Sequence, residues 1–132
     1  MMENPENERM RLGREAEKLA ADYLASKDYA IRERNWRPQP SHYEVDIIAQ
    51  KGREMVFVEV KARRKPDADA AVDAVDLRKQ RFIARAADIY LRRQEYLYYY
   101  RFDIIVVTGE GVDRRLTHIE DAYMPPLSTV GR

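Results

Sequence analysis

The chain has 132 residues, enough for one compact domain around a single core. With 45% hydrophobic and 36% charged residues it reads as a globular protein whose surface is densely charged. A net charge of +1 excludes a broadly basic nucleic-acid-binding surface and leaves only local patches, and the lack of cysteine excludes disulfides and thiolate metal sites.

His42 and His118 are the two histidines, and they lie far apart in sequence. That argues against a zinc site of the usual kind and leaves room for a hard cation held by oxygen ligands. No run approaches the length of a membrane span, and "MMENPENERMR" at the amino terminus has no apolar core of a signal peptide. A cytoplasmic protein is expected.

In chain order, residues 1–9 are polar and predict a frayed, flexible end. A helix follows over residues 10–26, with Leu12, Ala16, Leu19, Ala20, Tyr23 and Leu24 at helical spacing. "YAIRERNW" (29–36) alternates weakly and predicts a strand. "RPQPSH" (37–42) is a loop, because each proline disfavours regular structure before it. "YEVDIIAQ" and "EMVFVEVKA" predict two strands around "KGR", and "RRKPDADA" ends the second of them. A second helix is expected over residues 76–94. "YYYRFDIIVVT" and "RLTHIE" predict two more strands across the turn "GEGVDR". The order helix, three strands, helix, two strands predicts a single α/β domain over residues 10–127, a central mixed β-sheet flanked by helices, with a short tail at 128–132.

The third predicted strand carries the chemistry. Residues i and i+2 of a strand share a face, so Met55, Phe57, Glu59, Lys61 and Arg63 lie on one side and the valines on the other. The first face begins apolar and ends charged. If the two middle strands form an antiparallel hairpin with the loop Lys51 to Glu54, then Ile48 faces Phe57, Asp46 faces Glu59 and Glu44 faces Lys61. Two carboxylates side by side repel, and one takes up a proton unless a cation sits between them. A divalent metal resolves that conflict, and a lysine beside it can stabilise developing negative charge or help activate a water. Spacing alone fits equally well a solvated hairpin end with Glu44–Lys61 as a surface ion pair.

Each helix adds one residue. Glu17 sits at the rim of the apolar stripe of the first helix, where a carboxylate can reach the end of a sheet; taken alone, an ordinary boundary glutamate fits it better. In the second helix Lys79 falls on the apolar stripe of Ile83, Ala86, Ala87 and Tyr90, one turn before Ile83. With Asp76 as N-cap it stands in the first turn, where the helix dipole disfavours a cation, so a phosphate or a carboxylate nearby is expected. Arg78, Arg81, Arg85 and Arg92 occupy the opposite face, balanced only by Asp88, and read as a solvated surface. Arg63, Arg64 and Lys65 follow the lysine of the third strand and are better placed for a phosphate backbone. The tyrosines of "YLYYYRF" fit a core face or a partner chain better than base stacking.

The segments "LGREAEKLAADYL", "RNWR", "EVDIIAQ", "VFVEVKAR", "AVDLRKQRFIARAADIYL" and "RFDIIVV", in that order, resemble the YraN-like family of uncharacterised bacterial proteins. That family resembles the PD-(D/E)XK nucleases, and among them the archaeal-type Holliday junction resolvases. The resemblance runs over residues 12–127 and implies the restriction-endonuclease-like fold. It implies that Asp46, Glu59 and Lys61 are the motif acids and lysine, and Glu17 the first-helix glutamate. A Mg2+ or Mn2+ ion would sit between Asp46, Glu59 and the backbone carbonyl of Val60, with Glu44 in support. It further implies hydrolysis of structured or branched DNA; Lys79, Arg63, Arg64 and Lys65 are then expected on phosphates, and two active sites in a homodimer would suit a branched substrate. A non-cleaving nucleic-acid-binding module of the same fold, acting within a complex, is the alternative. Two departures border the site: Tyr43 stands where the family usually has glycine, and the loop with Pro38 and Pro40 is about two residues longer.

Overall fold

Five strands lie side by side in chain order: β1 (Ala30–Trp36), β2 (Val45–Lys51), β3 (Glu54–Arg63), β4 (Tyr99–Thr108) and β5 (Arg115–Ile119). The computed structural model describes residues 4–40, 44–63 and 77–125. All neighbouring strands pair antiparallel except β3 and β4, which are parallel. A parallel pair needs a crossover, and helix α2 (Leu77–Arg92) lies on it. Helix α1 (Pro5–Ser26) precedes the sheet. The fold is α/β with a mixed sheet, as the order of elements predicted, and it is consistent with a restriction-endonuclease-like fold.

The alternation of β3 distributes the core. Val56 and Val58 face α1 together with Ile47, Ala49, Ile105 and Val107. Met55 and Phe57 face α2 together with Ile48 and Phe102, against Ile83, Ala86, Ala87 and Tyr90. Full burial of a side chain of this size stabilises by about 1.5–3 kcal/mol, so the two layers hold the sheet between the helices. The aromatic part of the α2 layer is ordered edge to face, with Trp36 and Phe57 both against Tyr90.

Helix α1 starts earlier than its apolar spacing predicts. Asn4 caps it, accepting from the Asn7 N–H at 2.9 Å, and Pro5 occupies the first turn, where its missing N–H costs nothing. Helix α2 ends at Arg92, two residues before the expected end. Its outer arginines, Arg78, Arg81, Arg85 and Arg92, are exposed. Tyr98 packs on the α2 layer, whereas Tyr96, Tyr99 and Tyr100 are exposed.

In the middle of the sheet, opposite Val58, β4 buries a charge completely. Asp103 is 0% exposed and its carboxylate takes four donors. Arg101 donates through Nε at 2.9 Å and Nη2 at 3.0 Å. The Asp121 N–H donates at 2.9 Å and His118 Nε2 lies 2.6 Å away. Tyr23 of α1 completes the chain, with its hydroxyl 3.1 Å from His118 Nδ1. Burial raises the Asp103 pKa, but the hydrogen bonds from His118 and Arg101 outweigh it and hold the carboxyl below its ordinary range.

Removing one partner of such a network strands the others. Asp103→Ala is expected to lower unfolding free energy by about 3–5 kcal/mol in a urea titration, because Arg101 loses its main anion. A loss under about 1 kcal/mol would mean that solvent reaches the network.

Candidate metal centre

The β2–β3 hairpin has the register that its sequence predicts, with a tighter turn. Lys51 pairs with Glu54 and Ile47 with Val58, leaving Gly52 and Arg53 as the loop. Gly52 has φ of 61°, which the first position of a two-residue hairpin turn requires. One step beyond Ile47–Val58 the same register sets Asp46 beside Glu59. There the backbone ladder stops. The Val60 N–H donates instead to Asp46 Oδ2 at 2.8 Å, so a side chain replaces the neighbouring strand. In an extended strand the N–H and C=O of one residue point to the same edge. The Val60 carbonyl therefore also faces the Asp46 side.

β2 and its outer neighbour β1 are both irregular here. Val45 packs in the α2 layer and Ile47 in the α1 layer, although they are two residues apart. In β1 their partners are Trp36 and Arg34, and Asn35 between them has φ of 52°. Asparagine is among the few residues that tolerate this left-handed conformation. Its side chain is hydrogen-bonded to Glu17 of α1.

Glu17, Glu44 and Asp46 meet at the opening. Each offers a carboxylate oxygen within 4.8 Å of the others, the one such group of three or more metal-ligating side chains among the described residues. Burial raises the pKa of Glu17, and Glu44 raises it further against the opposing pull of Arg34 and Asn35. Asp46 is pushed up to about 8, first by burial and then by Glu59, while the Val60 N–H pulls the other way. Half-buried carboxylates crowded in this way hold a proton until a cation takes its place. All are hard oxygen donors and suit a hard divalent ion.

Glu59 is 5% exposed and is bound by two ammonium groups on one oxygen. Its Oε1 accepts from Lys61 at 3.2 Å and also from Lys79. Burial lowers the Lys61 pKa, with Glu59 opposing. Burial also pulls Lys79 down, but Glu59 and Asp46 outweigh it and its pKa is raised.

The structure therefore brings together Glu17, Glu44, Asp46, Glu59, Lys61 and Lys79, with Val60 at their centre. Two details differ from the spacing argument. Glu44, expected only in support, joins Glu17 and Asp46, because the strands part before it. The surface pair Glu44–Lys61 does not form: Glu44 accepts from Arg37 at 2.8 Å, and Lys61 turns to Glu59. Lys79 does point inward to a carboxylate. Arg63 is exposed at the end of β3. Arg64, Lys65, His42, Tyr43 and Asp76 lie outside the described residues. Sequence reasoning missed Tyr123, whose buried hydroxyl has no hydrogen-bond partner among the described residues and whose pKa is raised by burial and by the charge of Glu59. No pattern marked it, since it follows the last strand. No helix among the described residues is long and apolar enough to cross a membrane.

The family model described as "Uncharacterised protein family UPF0102" matches residues 16–107. A UPF0102 protein of Bacteroides fragilis is 44% identical over 116 residues, covering 88% of this chain and 94% of the relative. One from Bacteroides thetaiotaomicron gives the same figures. A UPF0102 protein of Chlorobium chlorochromatii is 42% identical over 126 residues, covering 91% of this chain and 96% of the relative. The chain belongs to the UPF0102 family.

Because the Asp46 pKa is raised by folding, the folded chain binds this proton more tightly than the unfolded one between about pH 3.9 and the folded value. The stability that neutral Asp46 lends is complete below that window and is lost as pH rises through about 8. Asp46→Asn keeps an oxygen for the Val60 N–H and removes the charge. Without metal it is expected to exceed wild type in stability by about 1–3 kcal/mol at pH 9 and to lose that advantage at pH 4. Urea titrations at both pH values check this, and equal stability at pH 9 would show that Asp46 ionises without cost.

Proposed function

We propose that this UPF0102 chain is a Mg2+- or Mn2+-dependent endonuclease that hydrolyses phosphodiester bonds in structured or branched DNA. The observation that carries the reading is the crowding of Glu17, Glu44 and Asp46 within 4.8 Å at a gap between strands. A lysine-bound Glu59 closes the other side. The resemblance to PD-(D/E)XK nucleases supports the same assignment, residue by residue, for Glu17, Asp46, Glu59 and Lys61.

Glu17, Glu44 and Asp46 would hold the ion, with Glu59 and the Val60 carbonyl adjoining. A bound divalent ion supplies positive charge to the phosphate oxygens and lowers the pKa of a water. In the reaction a water oxygen bonds to phosphorus, the ester oxygen leaves, and the proton from water passes to the leaving side. Lys61, whose proton affinity burial lowers, stands beside the acids to support the attacking water and the charge that grows on the phosphate. Arg63 gives the neighbouring phosphates a contact. It borders a hollow of about 290 Å3 with Arg9 and Arg114, on the α1 side of the same sheet end. DNA is the proposed partner, two copies of the chain would suit a branched substrate, and the cytoplasm is the proposed location.

A non-cleaving DNA-binding module is the second reading. The net charge of +1 favours it, as does the pairing of Glu59 with lysines.

Purified protein with Mg2+ or Mn2+ is expected to cut branched DNA in preference to linear duplex. Asp46→Ala is expected to lose at least about 100-fold in rate, as removal of a metal ligand or an electrostatic catalyst does. Retarded DNA migration with no strand scission under either metal would select the binding module.

A further inference from the structure

Lys79 stands in a place that local structure does not favour. It occupies the third position of α2, in a first turn that carries no acidic residue and where the helix dipole disfavours a cation. It is nonetheless directed inward, with a side chain 27% exposed, onto a glutamate that is 5% exposed. Its charge acts on Asp46 as well as on Glu59. One ammonium thus offsets two of the acids that surround the gap.

Resting on the metal reading above, we infer that Lys79 is a resident counter-ion, displaced from Glu59 when a divalent cation binds and then presented to a phosphate of the nucleic acid. The two lysines on Glu59 are not equivalent in this exchange. Lys61 is fixed two residues away on the same strand, with a side chain 16% exposed. Lys79 comes from another element and is more exposed. A divalent charge entering beside Asp46 and Glu59 repels an ammonium at hydrogen-bond distance, and the helix start gives that ammonium no reason to stay. Once released it lies next to the first-turn N–H groups of α2. Helix start and lysine together favour an anion. Metal and nucleic acid would then bind with positive linkage, each weakening the contact that the other must break.

The reactivity of the Lys79 amine reads the exchange without any cleavage. Full-length protein is labelled briefly with acetic anhydride and the rate at each lysine is taken by mass spectrometry, with exposed Lys27 as reference. Calorimetry on the same samples reports Mg2+ binding. In the metal-free protein Lys79 is expected to react at least about tenfold more slowly than Lys27, because its amine is partly buried and engaged by Glu59. Saturating Mg2+ is expected to raise the Lys79 rate several-fold, and a single-stranded oligonucleotide to lower it again. Glu59→Gln should raise the Lys79 rate with no metal present. Should that variant not fold, Lys79→Met is expected to bind Mg2+ about tenfold more tightly than wild type, since the competing cation is gone.

Mg2+ binding by calorimetry with an unchanged Lys79 rate would overturn the exchange and leave the metal site standing. A titration with no heat would overturn both. Lys79 labelling as fast as Lys27 before metal is added would show that Glu59 does not hold it. An oligonucleotide that leaves the released amine reactive would remove the phosphate from the inference.

Discussion

One hydrogen bond organises the candidate site: the Val60 N–H donates to the carboxylate of Asp46 rather than to a strand neighbour. A sheet continues as long as each backbone group finds a partner in the next strand, since an unpaired buried amide is costly. Here a side chain satisfies the amide, so β2 can leave β3 without that cost. The gap that results is what lets residues from both faces of the sheet reach each other. Had the ladder continued past Ile47, the sheet would have separated Glu17 of α1 from Lys79 of α2.

The two faces of the central strands treat buried charge in opposite ways, for Asp103 pairs with Val58 while Glu59 is the next residue of β3 and turns to the other face. Asp103 is surrounded by donors, and its pKa is held down. Both oxygens are engaged by donors that are themselves tied into one network, Arg101 through Glu54 and Tyr29 and His118 through Tyr23, which is the arrangement expected of structure. One residue further along, at the opening, Asp46 has one amide and is raised to about 8. Glu59 shares one oxygen between two lysines, and the Asp46 carboxylate crowds with those of Glu17 and Glu44. The opening is incompletely neutralised. Charges left in conflict inside a fold cost stability, and perturbed groups of this kind cluster at functional sites.

Much of this was legible in the sequence because it follows from two short periods. The alternation of "EMVFVEVKA" separated the valine face from the face of Glu59 and Lys61, and the short loop fixed the register that sets Asp46 beside Glu59. The period of α2 places Lys79 on the apolar stripe with no appeal to a catalytic motif. What could not be read depends on breaks in those periods. Nothing in "ERNWR" announces that Asn35 turns left-handed and shifts Trp36 to the other layer. Regular alternation would have kept Val45 and Ile47 together, and Glu44 opposite Lys61. The partnership of His118 with Asp103 joins residues on adjacent strands whose pairing depends on the turn between them. The early start of α1 was readable, since Asn4 and Pro5 are a cap and a first-turn residue, but they lie before the apolar spacing on which a helix is judged.

The opening also explains why both helices matter to a site whose acids lie mainly on strands. Asp46 and Glu59 come from one hairpin and would be brought together by it even in isolation. A hairpin alone, however, leaves such carboxylates in water, where like charges five or so ångströms apart repel weakly and each ionises normally. Packing α1 and α2 on the two faces removes the water. Burial then makes the repulsion between acids strong enough to require a cation, and each helix brings one side chain to the conflict: Glu17 adds a negative charge and Lys79 a positive one. The core that stabilises the sheet and the electrostatic demand at its end therefore have the same origin. A substitution that loosened either layer, for example at Leu24 or Ile83, both buried, would relax the charges before it unfolded the domain.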